Sequence, residues 1–295
     1  MQIGIMGLGK MGENLALNMQ DHGFEVVAYN RSEKPHLDGQ FPLFHDVQAF
    51  VNALKAPRTI WIMLTAGSVV DTVIDTLKPL LDKGDTLIDG GNSRFSDTIR
   101  RYQALQKDGL EFIDCGTSGG TEGARHGANL MVGGTSDSVA PLKPLFDAVA
   151  LEGGVNYVNQ PGGGHYVKMI HNAIEYGMMQ AIAEGLDVLE RSPFDVDLVE
   201  TTRAWNEGSI IESYLVGITH DQLKLDPTLA DLVGKVDESG EAKWTVEEAI
   251  QLGVDVPVIA TSLFNRFKSK DERNYREKVL AAMRNGFGGH AVHKK

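Results

Sequence analysis

The stretch that decides the fold is Gln2–Gly12, which reads QIGIMGLGKMG. Its first residues, Gln2–Met6, form a short apolar run that predicts a strand. The glycine pattern GxGxxG follows at once, and apolar residues then recur at helical spacing over 11–22. Gly23 ends this predicted helix, and Phe24–Tyr29 predicts a second strand. A strand, a glycine turn, a helix and a second strand are typical of the start of a dinucleotide-binding domain.

The three glycines of the pattern have separate predicted tasks. Gly7 permits a tight turn, Gly9 lets the backbone approach a pyrophosphate, and Gly12 lets the helix pack against the strand. The free N–H groups at the start of the helix would then bind the phosphates. A glycine turn used only for packing is the alternative, but the strand before it and the helix after it favour a cofactor site. The predicted cofactor-binding residues here are Gly7, Leu8, Gly9, Lys10, Met11 and Gly12.

The end of the second predicted strand indicates which dinucleotide is bound. NAD sites usually carry Asp or Glu about 20 residues after the glycines, where the carboxylate accepts hydrogen bonds from the ribose. This chain has Asn30, Arg31 and Ser32 there. Asn30 has no charge to repel a 2′-phosphate, and Arg31 and Ser32 can bind one. Alternatively, Arg31 is only a solvated loop cation. We expect NADP, with NAD as the second choice.

Strand-like runs alternate with helical patterns through the first half of the chain. This alternation favours a mainly parallel sheet that is covered on both faces. Pro161–Gly164 is a cluster of breakers, and beyond it helical patterns prevail, beginning with a long helix over His165–Glu190. The sequence therefore predicts an α/β Rossmann-type dinucleotide-binding domain over 1–161, followed by an all-α domain over 162–295. The further predicted strands are Thr59–Leu64, Thr86–Asp89, Glu111–Cys115 and Asn129–Val132.

Composition excludes several classes of protein. The 295 residues are 42% hydrophobic and 23% charged, which is ordinary for a globular protein of one or two domains. The net charge of -12 argues against non-specific binding to nucleic acid or to an acidic membrane. No apolar run approaches the roughly 20 residues that span a bilayer. The single cysteine, Cys115, cannot form an intramolecular disulfide, and the residues after Met1 do not resemble a signal peptide. We expect a cytoplasmic protein.

The predicted helix over His165–Glu190 carries an unusual set of polar side chains. At about 100° per residue they share one side, and apolar residues share the other. A solvated face is the ordinary alternative, but such faces usually repeat Lys and Glu. His171 and Glu175 could suggest a metal site, but the helix has no HExxH pattern and no third ligand lies nearby. No metal site is therefore predicted. The polar side carries Lys168, His171, Asn172, Glu175 and Tyr176. The apolar side carries Met169, Ile170, Ala173 and Ile174, and it is predicted to be the packed side of the helix.

The segment 168–176, KMIHNAIEY, closely resembles the signature of 6-phosphogluconate dehydrogenases, within the β-hydroxyacid dehydrogenase superfamily. The likeness spans nearly the whole chain, which resembles a short form without the second helical half of longer members. The chain departs from the family at Thr65, where many long members have Lys, and at Thr121, where an acidic residue is common. The other similar stretches are Gly7–Gly12, Asn30–Ser32, Asp89–Ser93, Ser118–Arg125, Lys243–Thr245 and Arg284–His290.

The resemblance implies an enzyme that oxidises and decarboxylates 6-phosphogluconate to ribulose 5-phosphate and carbon dioxide while reducing NADP or NAD. Lys168 would be the general base and Glu175 the acid that protonates the enediol. The spacing that follows Arg266 is shorter than in long members, which weakens its assignment. Further implied cofactor contacts are Leu64, Thr65, Ala66 and Asn92. Implied substrate contacts are Asn92, Ser118, Gly119, Gly120, His171, Asn172, Tyr176, Lys243, Thr245, Arg266, Arg284 and His290.

In the family the C-terminal tail crosses to a partner subunit. The resemblance therefore implies a homodimer or homotetramer in which Arg284 and His290 act in the partner's site. A frayed terminus is the alternative, because Gly286, Gly288 and Gly289 permit flexibility; Lys294 and Lys295 add basic character to this end.

Two other functions stay open at this point. A β-hydroxyacid dehydrogenase for an unphosphorylated acid such as 3-hydroxyisobutyrate would share the fold and Lys168, but it has no need of a cationic pocket or of Glu175 and Tyr176. A dinucleotide sensor without turnover would have little use for the pair Lys168 and Glu175.

Overall fold

The structure is a computed structural model that describes residues 1–293. The chain divides into two compact units, residues 1–172 and 173–295, called here the first and the second unit. The division falls eleven residues beyond the predicted boundary at residue 161, inside a long helix. Lys294 and Lys295 lie outside the described residues.

The first unit is built on one eight-stranded sheet. Its order is β3-β2-β1-β4-β5-β6-β7-β8, and all neighbouring pairs are parallel except β6 with β7. The predicted mainly parallel sheet is confirmed. The strands are β1 (Gln2–Met6), β2 (Glu25–Tyr29), β3 (Leu43–Phe44), β4 (Thr59–Ile62), β5 (Thr86–Asp89), β6 (Glu111–Ser118), β7 (Ala128–Gly133) and β8 (Ala150–Val158).

Helices cover both faces of this sheet. Every residue of β4 and β5 is buried, as expected for central parallel strands with a helical layer on each side. One core includes Leu15 and Phe146, and the other includes Phe50 and Leu105. The helices of the first unit are α1 (Lys10–Asp21), α2 (Val47–Asn52), α3 (Ser68–Leu77), α4 (Phe95–Gln106), α5 (Gly120–His126), α6 (Ser136–Val139) and α7 (Lys143–Val149).

Four neighbouring parallel strands, β1, β4, β5 and β6, place their carboxyl ends at the same edge of the sheet. β1 lies where the strand order reverses, which is the position at which open α/β sheets bind their ligands. The segments that leave this edge carry Gly7–Gly12, Leu64–Ala66, Asn92 and Ser118–Gly120. The sheet topology therefore brings these predicted site residues to one edge.

The regular elements of the second unit within its described residues, 173–293, are all helices, which confirms the predicted all-α domain. Asp197 caps α9 by accepting a hydrogen bond from the Glu200 N–H at 3.0 Å, and Ser213 caps α10 in the same way. None of the helices within residues 1–293 is long and apolar enough to cross a membrane. The helix α8 (Gly163–Glu190) begins in the first unit and continues into the second. The others are α9 (Leu198–Trp205), α10 (Tyr214–Leu225), α11 (Glu241–Leu252), α12 (Pro257–Ser269) and α13 (Tyr275–Gly288).

Candidate active site

The glycine turn after β1 leaves an open space at the start of α1. Gly7 has φ of 99°, and a Cβ atom there would lie 2.5 Å from the Met63 carbonyl oxygen. A Cβ atom at Gly12 would lie 2.0 Å from the Gly7 carbonyl oxygen, so both positions require glycine. At Gly9 a Cβ atom would meet no atom within 4 Å. The turn is therefore closed by Gly7 and Gly12 and open at Gly9, which fits the approach of a pyrophosphate to the helix N-terminus.

Asn30, at the end of β2, is bonded to this turn. Its side-chain oxygen accepts a hydrogen bond from the Leu8 N–H at 3.0 Å, and its Nδ2 donates to the Ser32 carbonyl at 2.7 Å. Arg31 and Ser32 are exposed next to it. Asn30 thus fixes the loop that presents Arg31 and Ser32, a positioning task that the sequence did not reveal.

A buried ionic network braces two of the other loops at this edge. Asp89 is fully buried; its carboxylate accepts hydrogen bonds from the Ser93 hydroxyl at 2.7 Å and from Arg101 at 3.3 Å. Arg101 also donates to the Gly67 carbonyl at 3.0 Å and to Asp71. The hydrogen bond from Arg101 is the main cause that lowers the pKa of Asp71, and burial opposes it. One guanidinium thereby ties the loop that follows Leu64–Ala66 to the loop that carries Asn92. Asn92 itself is exposed.

The first turns of α8 lie against β6 inside the first unit. Lys168 is 5% exposed, and its stem packs against Gly116, where a Cβ atom would come within 2.5 Å of the Lys168 Cβ. The Ser118 hydroxyl and His171 Nε2 lie 3.2 Å apart, and His171 Nδ1 lies 2.9 Å from Asn172 Oδ1. The structure therefore brings together four predicted residues: Ser118, Lys168, His171 and Asn172.

The predicted packing of α8 needs one correction. The sequence assigned Ile174 to the covered side of the helix, but its side chain is 50% exposed, whereas the polar residues Lys168, Asn172 and Tyr176 are 5%, 8% and 5% exposed. Helical periodicity identifies which residues share a side but not which side is covered. The long carbon stem of a lysine also packs as an apolar group, so Lys168 can be buried while it carries an amine.

The second unit brings together two residues of the predicted phosphate pocket, Tyr176 and Arg266. The Arg266 guanidinium carbon lies 3.4 Å from the centre of the Tyr176 ring, and Arg266 also donates to the Asp237 carbonyl at 2.8 Å. The Tyr176 hydroxyl accepts a hydrogen bond from the Ser239 N–H at 3.1 Å. Both side chains are held in place by these contacts.

The remaining residues of the predicted phosphate pocket lie on other helices of the second unit. Lys243 is exposed on α11, and Thr245 is buried there, with its hydroxyl donating to the Glu241 carbonyl at 2.9 Å. Arg284 is exposed on α13, and His290 follows that helix. Their participation in a shared pocket stays a prediction. Within residues 1–293 no group of three or more His, Cys, Asp or Glu side chains is placed to hold a metal ion.

Comparison with known proteins identifies the family. Residues 2–159 match the NAD binding domain of 6-phosphogluconate dehydrogenase, and residues 164–294 match the C-terminal domain of 6-phosphogluconate dehydrogenase. The chain belongs to the 6-phosphogluconate dehydrogenase family. The resemblance on which the sequence interpretation rests is confirmed.

Relatives of two lengths occur among these 6-phosphogluconate dehydrogenases. An NAD(+)-dependent, decarboxylating enzyme of Haloferax volcanii is 38% identical, over 100% of this chain and 99% of its own. A decarboxylating enzyme of Saccharomyces cerevisiae is 41% identical over 95% of this chain, which spans only 61% of the yeast protein. The structure of the Plasmodium falciparum enzyme, solved in its apo form and with NADP+ and with 6-phosphogluconate, superimposes with a TM-score of 0.83 at 30% identity, over 100% of this chain and 66% of its own.

Several residues that contact the predicted site were not found from the sequence. Asp114 and Gly116 hold the start of α8 and the stem of Lys168, and Ser239 contacts Tyr176. The alternation along β6, in which Asp114, Gly116 and Ser118 share one side of the strand, was a signal that could have revealed the first two. Ser239 lies in a polar turn and carries no such signal.

Proposed function

We propose that this member of the 6-phosphogluconate dehydrogenase family oxidises 6-phosphogluconate with NADP and releases carbon dioxide and ribulose 5-phosphate. The observation that carries the proposal is the buried Lys168 on α8, whose stem packs against Gly116 of β6, next to the contact between Ser118 and His171. A base at this edge lies where a dinucleotide-binding sheet binds its ligands.

Lys168 acts first as a general base. To accept a proton the amine must be neutral when the substrate binds; Lys168 is 5% exposed. The amine takes the proton of the C3 hydroxyl as the C3–H bond breaks. When bound, the oxidised nicotinamide accepts the hydride from C3.

The product of this step is a 3-keto acid, whose carbonyl lies β to the carboxylate. The C1–C2 bond then breaks, its electron pair forms the enediol, and carbon dioxide leaves. Protonated Lys168 returns its proton to the C3 oxygen. Glu175, seven residues further along α8, delivers a proton to the carbon that lost the carboxylate, and Lys168 takes the enediol proton as the ketone forms. Both residues work as a pair and need no metal.

The substrate is held by groups of different character at its two ends. We assign the phosphate to the cationic and hydroxyl groups of the second unit, where Arg266 and Tyr176 are already stacked. A guanidinium suits this task because it can donate two parallel hydrogen bonds to a phosphate. The remaining residues proposed for the phosphate and nearby hydroxyls are Lys243, Thr245, Arg284 and His290. The residues proposed for the carboxylate and hydroxyls are Asn92, Ser118, Gly119, Gly120, His171 and Asn172.

The first unit would hold the dinucleotide by the open turn at Gly9 and the N-terminus of α1. Arg31 and Ser32, presented by Asn30, would bind the 2′-phosphate of NADP. We expect NADP to be preferred over NAD because Asn30, at this strand end, carries no charge to repel a phosphate. The other residues proposed to contact the cofactor are Leu64, Thr65, Ala66 and Asn92.

We propose a homodimer or homotetramer in which Arg284 and His290 complete the partner's site. A chain cut after Met283 should then lose substrate affinity while it still binds NADP, and full substrate affinity in that chain would contradict the proposal. We also propose a cytoplasmic location, since a single cysteine suits a reducing compartment.

The proposal is tested by incubating the protein with 6-phosphogluconate and either NADP or NAD, while reduced cofactor and carbon dioxide are both measured. We expect equal amounts of both products and a higher kcat/KM with NADP than with NAD. Oxidation without carbon dioxide, or no turnover, would contradict the assigned reaction.

The same assay with 3-hydroxyisobutyrate tests the nearest alternative. The stacked pair of Tyr176 and Arg266 disfavours that substrate, which has no phosphate for a guanidinium to bind. A higher kcat/KM with 3-hydroxyisobutyrate than with 6-phosphogluconate would establish the alternative.

A further inference from the structure

We propose that Asp114 is a positioning residue for Lys168: it caps α8 from the neighbouring strand β6 and so sets where the amine lies. This inference rests on the proposed function, in which Lys168 is the general base. All the residues that carry it belong to the first unit.

Asp114 binds the start of α8 with both carboxylate oxygens. One oxygen accepts a hydrogen bond from the Gly162 N–H at 2.7 Å, and the other accepts from the His165 N–H at 2.8 Å. The first backbone N–H groups of a helix have no partner within the helix, and their dipoles favour a negative charge. Asp114 is fully buried, so water cannot replace it at this position. The carboxylate therefore fixes the first turn of α8, one turn before Lys168.

A second contact fixes the same turn from another side. His165 Nδ1 lies 2.7 Å from the hydroxyl of Thr98, which projects from α4, and both side chains are buried. The pKa of Asp114 is raised, and burial is the main cause. The nearby His165 and the two backbone donors oppose this rise. The start of α8 is thus held by β6 through its backbone and by α4 through a side chain.

The contacts between β6 and α8 repeat in a fixed register. Asp114, Gly116 and Ser118 share one side of β6, and they meet His165, Lys168 and His171, which follow at intervals of three residues on α8. A methyl group at position 116 would lie 2.5 Å from Cβ and 2.7 Å from Cγ of Lys168. A shift of α8 by one residue would turn it by about 100° and advance it by about 1.5 Å, so all three contacts would break together.

This register bears on catalysis because a general base must lie about 2.6–3.2 Å from the proton donor that it serves. A misplacement of about 1 Å can reduce the rate about 100-fold. Asp114 acts on Lys168 indirectly. It fixes the position of α8, and α8 carries Lys168. The expected consequence is a change in kcat without a change in cofactor binding.

The test compares Asp114→Asn and Gly116→Ala with wild type. Asparagine has similar size, but its amide nitrogen cannot accept a hydrogen bond, so one of the two caps is lost. We expect kcat to fall about 10- to 100-fold in both variants, while KM for NADP stays within about twofold, because the glycine turn after β1 is untouched. Backbone hydrogen exchange over residues 162–170 should also be faster in Asp114→Asn.

Asp197→Asn is the matched control, since Asp197 caps α9 in the second unit and has no proposed part in the reaction. Its kcat and its exchange over 162–170 should equal those of wild type. A folded Asp114→Asn variant with wild-type kcat would overturn the inference. If that variant fails to fold, Thr98→Val, which removes the bond to His165 and a longer bond to the Arg94 carbonyl at 3.4 Å, must lower kcat at constant KM for NADP; an unchanged kcat would overturn it equally.

Failure of the inference can be distinguished from failure of the proposed function. If wild type has no turnover with 6-phosphogluconate, the proposed function is wrong, and exchange over 162–170 still decides whether Asp114 holds the helix. If wild type is active and Lys168→Met is inactive while Asp114→Asn is unaffected, only the positioning role is wrong.

Discussion

The two units of the molecule differ in how they hold their functional side chains. In the first unit, buried charged groups such as Asp89, Arg101 and Asp114 all have hydrogen-bond partners, and the sheet is covered on both faces. The second unit has a small core formed by Ala173, Tyr176, Ala242 and Leu263. Many of its large apolar side chains are exposed, including Phe194 at 75% and Ile210, which is fully exposed.

This difference indicates which parts of the site the chain can organise without a partner. The first unit fixes Lys168, the proposed base, and the glycine turn by its own packing. The second unit has a groove of about 850 Å³ lined mainly by apolar side chains of α8, α9 and α10, and the groove includes none of the predicted site residues. Monomeric proteins rarely expose large continuous apolar surfaces, so the exposure supports the proposed homodimer.

The largest effect on kcat is expected when the amine of Lys168, the proposed base in the first unit, is removed. In Lys168→Met the carbon stem that packs against Gly116 is largely kept, but the amine is lost. We expect kcat to fall by about 10³-fold, within the range of about 10²- to 10⁴-fold that a general base contributes. Steady-state assays of reduced cofactor and carbon dioxide measure this, and Kd for NADP should stay near the wild-type value.

Lys107→Met is the control, because Lys107 is exposed at the end of α4 and has no proposed part in the site. It should retain full activity. Turnover by Lys168→Met within tenfold of wild type would show that another group takes the proton. The packing of the first unit around Lys168 would then not explain how the base is held.

Local patterns explain how much of this could be predicted from the sequence. The run Gln2–Met6 is one strand with its predicted bounds, and the glycine turn has the predicted place, because both depend on neighbouring residues. The strand β8 was missed because Gly153 and Gly154 interrupt its alternation. The partners of Asp114 are about 50 residues away, and only the sheet order brings them together.

A second prediction compares a core side chain of the first unit with an exposed apolar side chain of the second. Phe112 on β6 is fully buried, whereas Ile210 in the second unit is fully exposed. We expect Phe112→Ala to lower the free energy of unfolding by about 3–5 kcal/mol, since it leaves a cavity. Ile210→Ala should change it by less than about 0.5 kcal/mol. Urea unfolding followed by circular dichroism measures both.

The change in the free energy of unfolding caused by Ile210→Ala also shows whether a second copy of the chain covers this residue. A larger loss that grows with protein concentration would mean that a second copy covers this residue, which supports the dimer. A loss for Phe112→Ala as small as that for Ile210→Ala would contradict the description of the first unit as the well-packed one.

The smallest expected effect concerns the ionic network that braces the cofactor loops. The hydrogen bond from Arg101 lowers the pKa of Asp71 in the folded state, although burial opposes it. A carboxyl whose folded pKa is below its unfolded value of about 3.9 stabilises the fold above that value, and the stability is lost as the pH falls through the folded pKa. The Asp71 side chain is 32% exposed, so solvent screening limits the gain to about 1 kcal/mol.

Asp71→Asn should therefore be about 1 kcal/mol less stable than wild type at pH 7, and this difference should shrink as the pH is lowered from about 5 toward 3. Asp75→Asn is the matched control, because Asp75 lies one turn further along α3 and is exposed. Urea unfolding at several pH values distinguishes the two variants. A deficit in Asp71→Asn that persists unchanged at pH 3 would mean that the charge of the Asp71 carboxylate does not brace the loops.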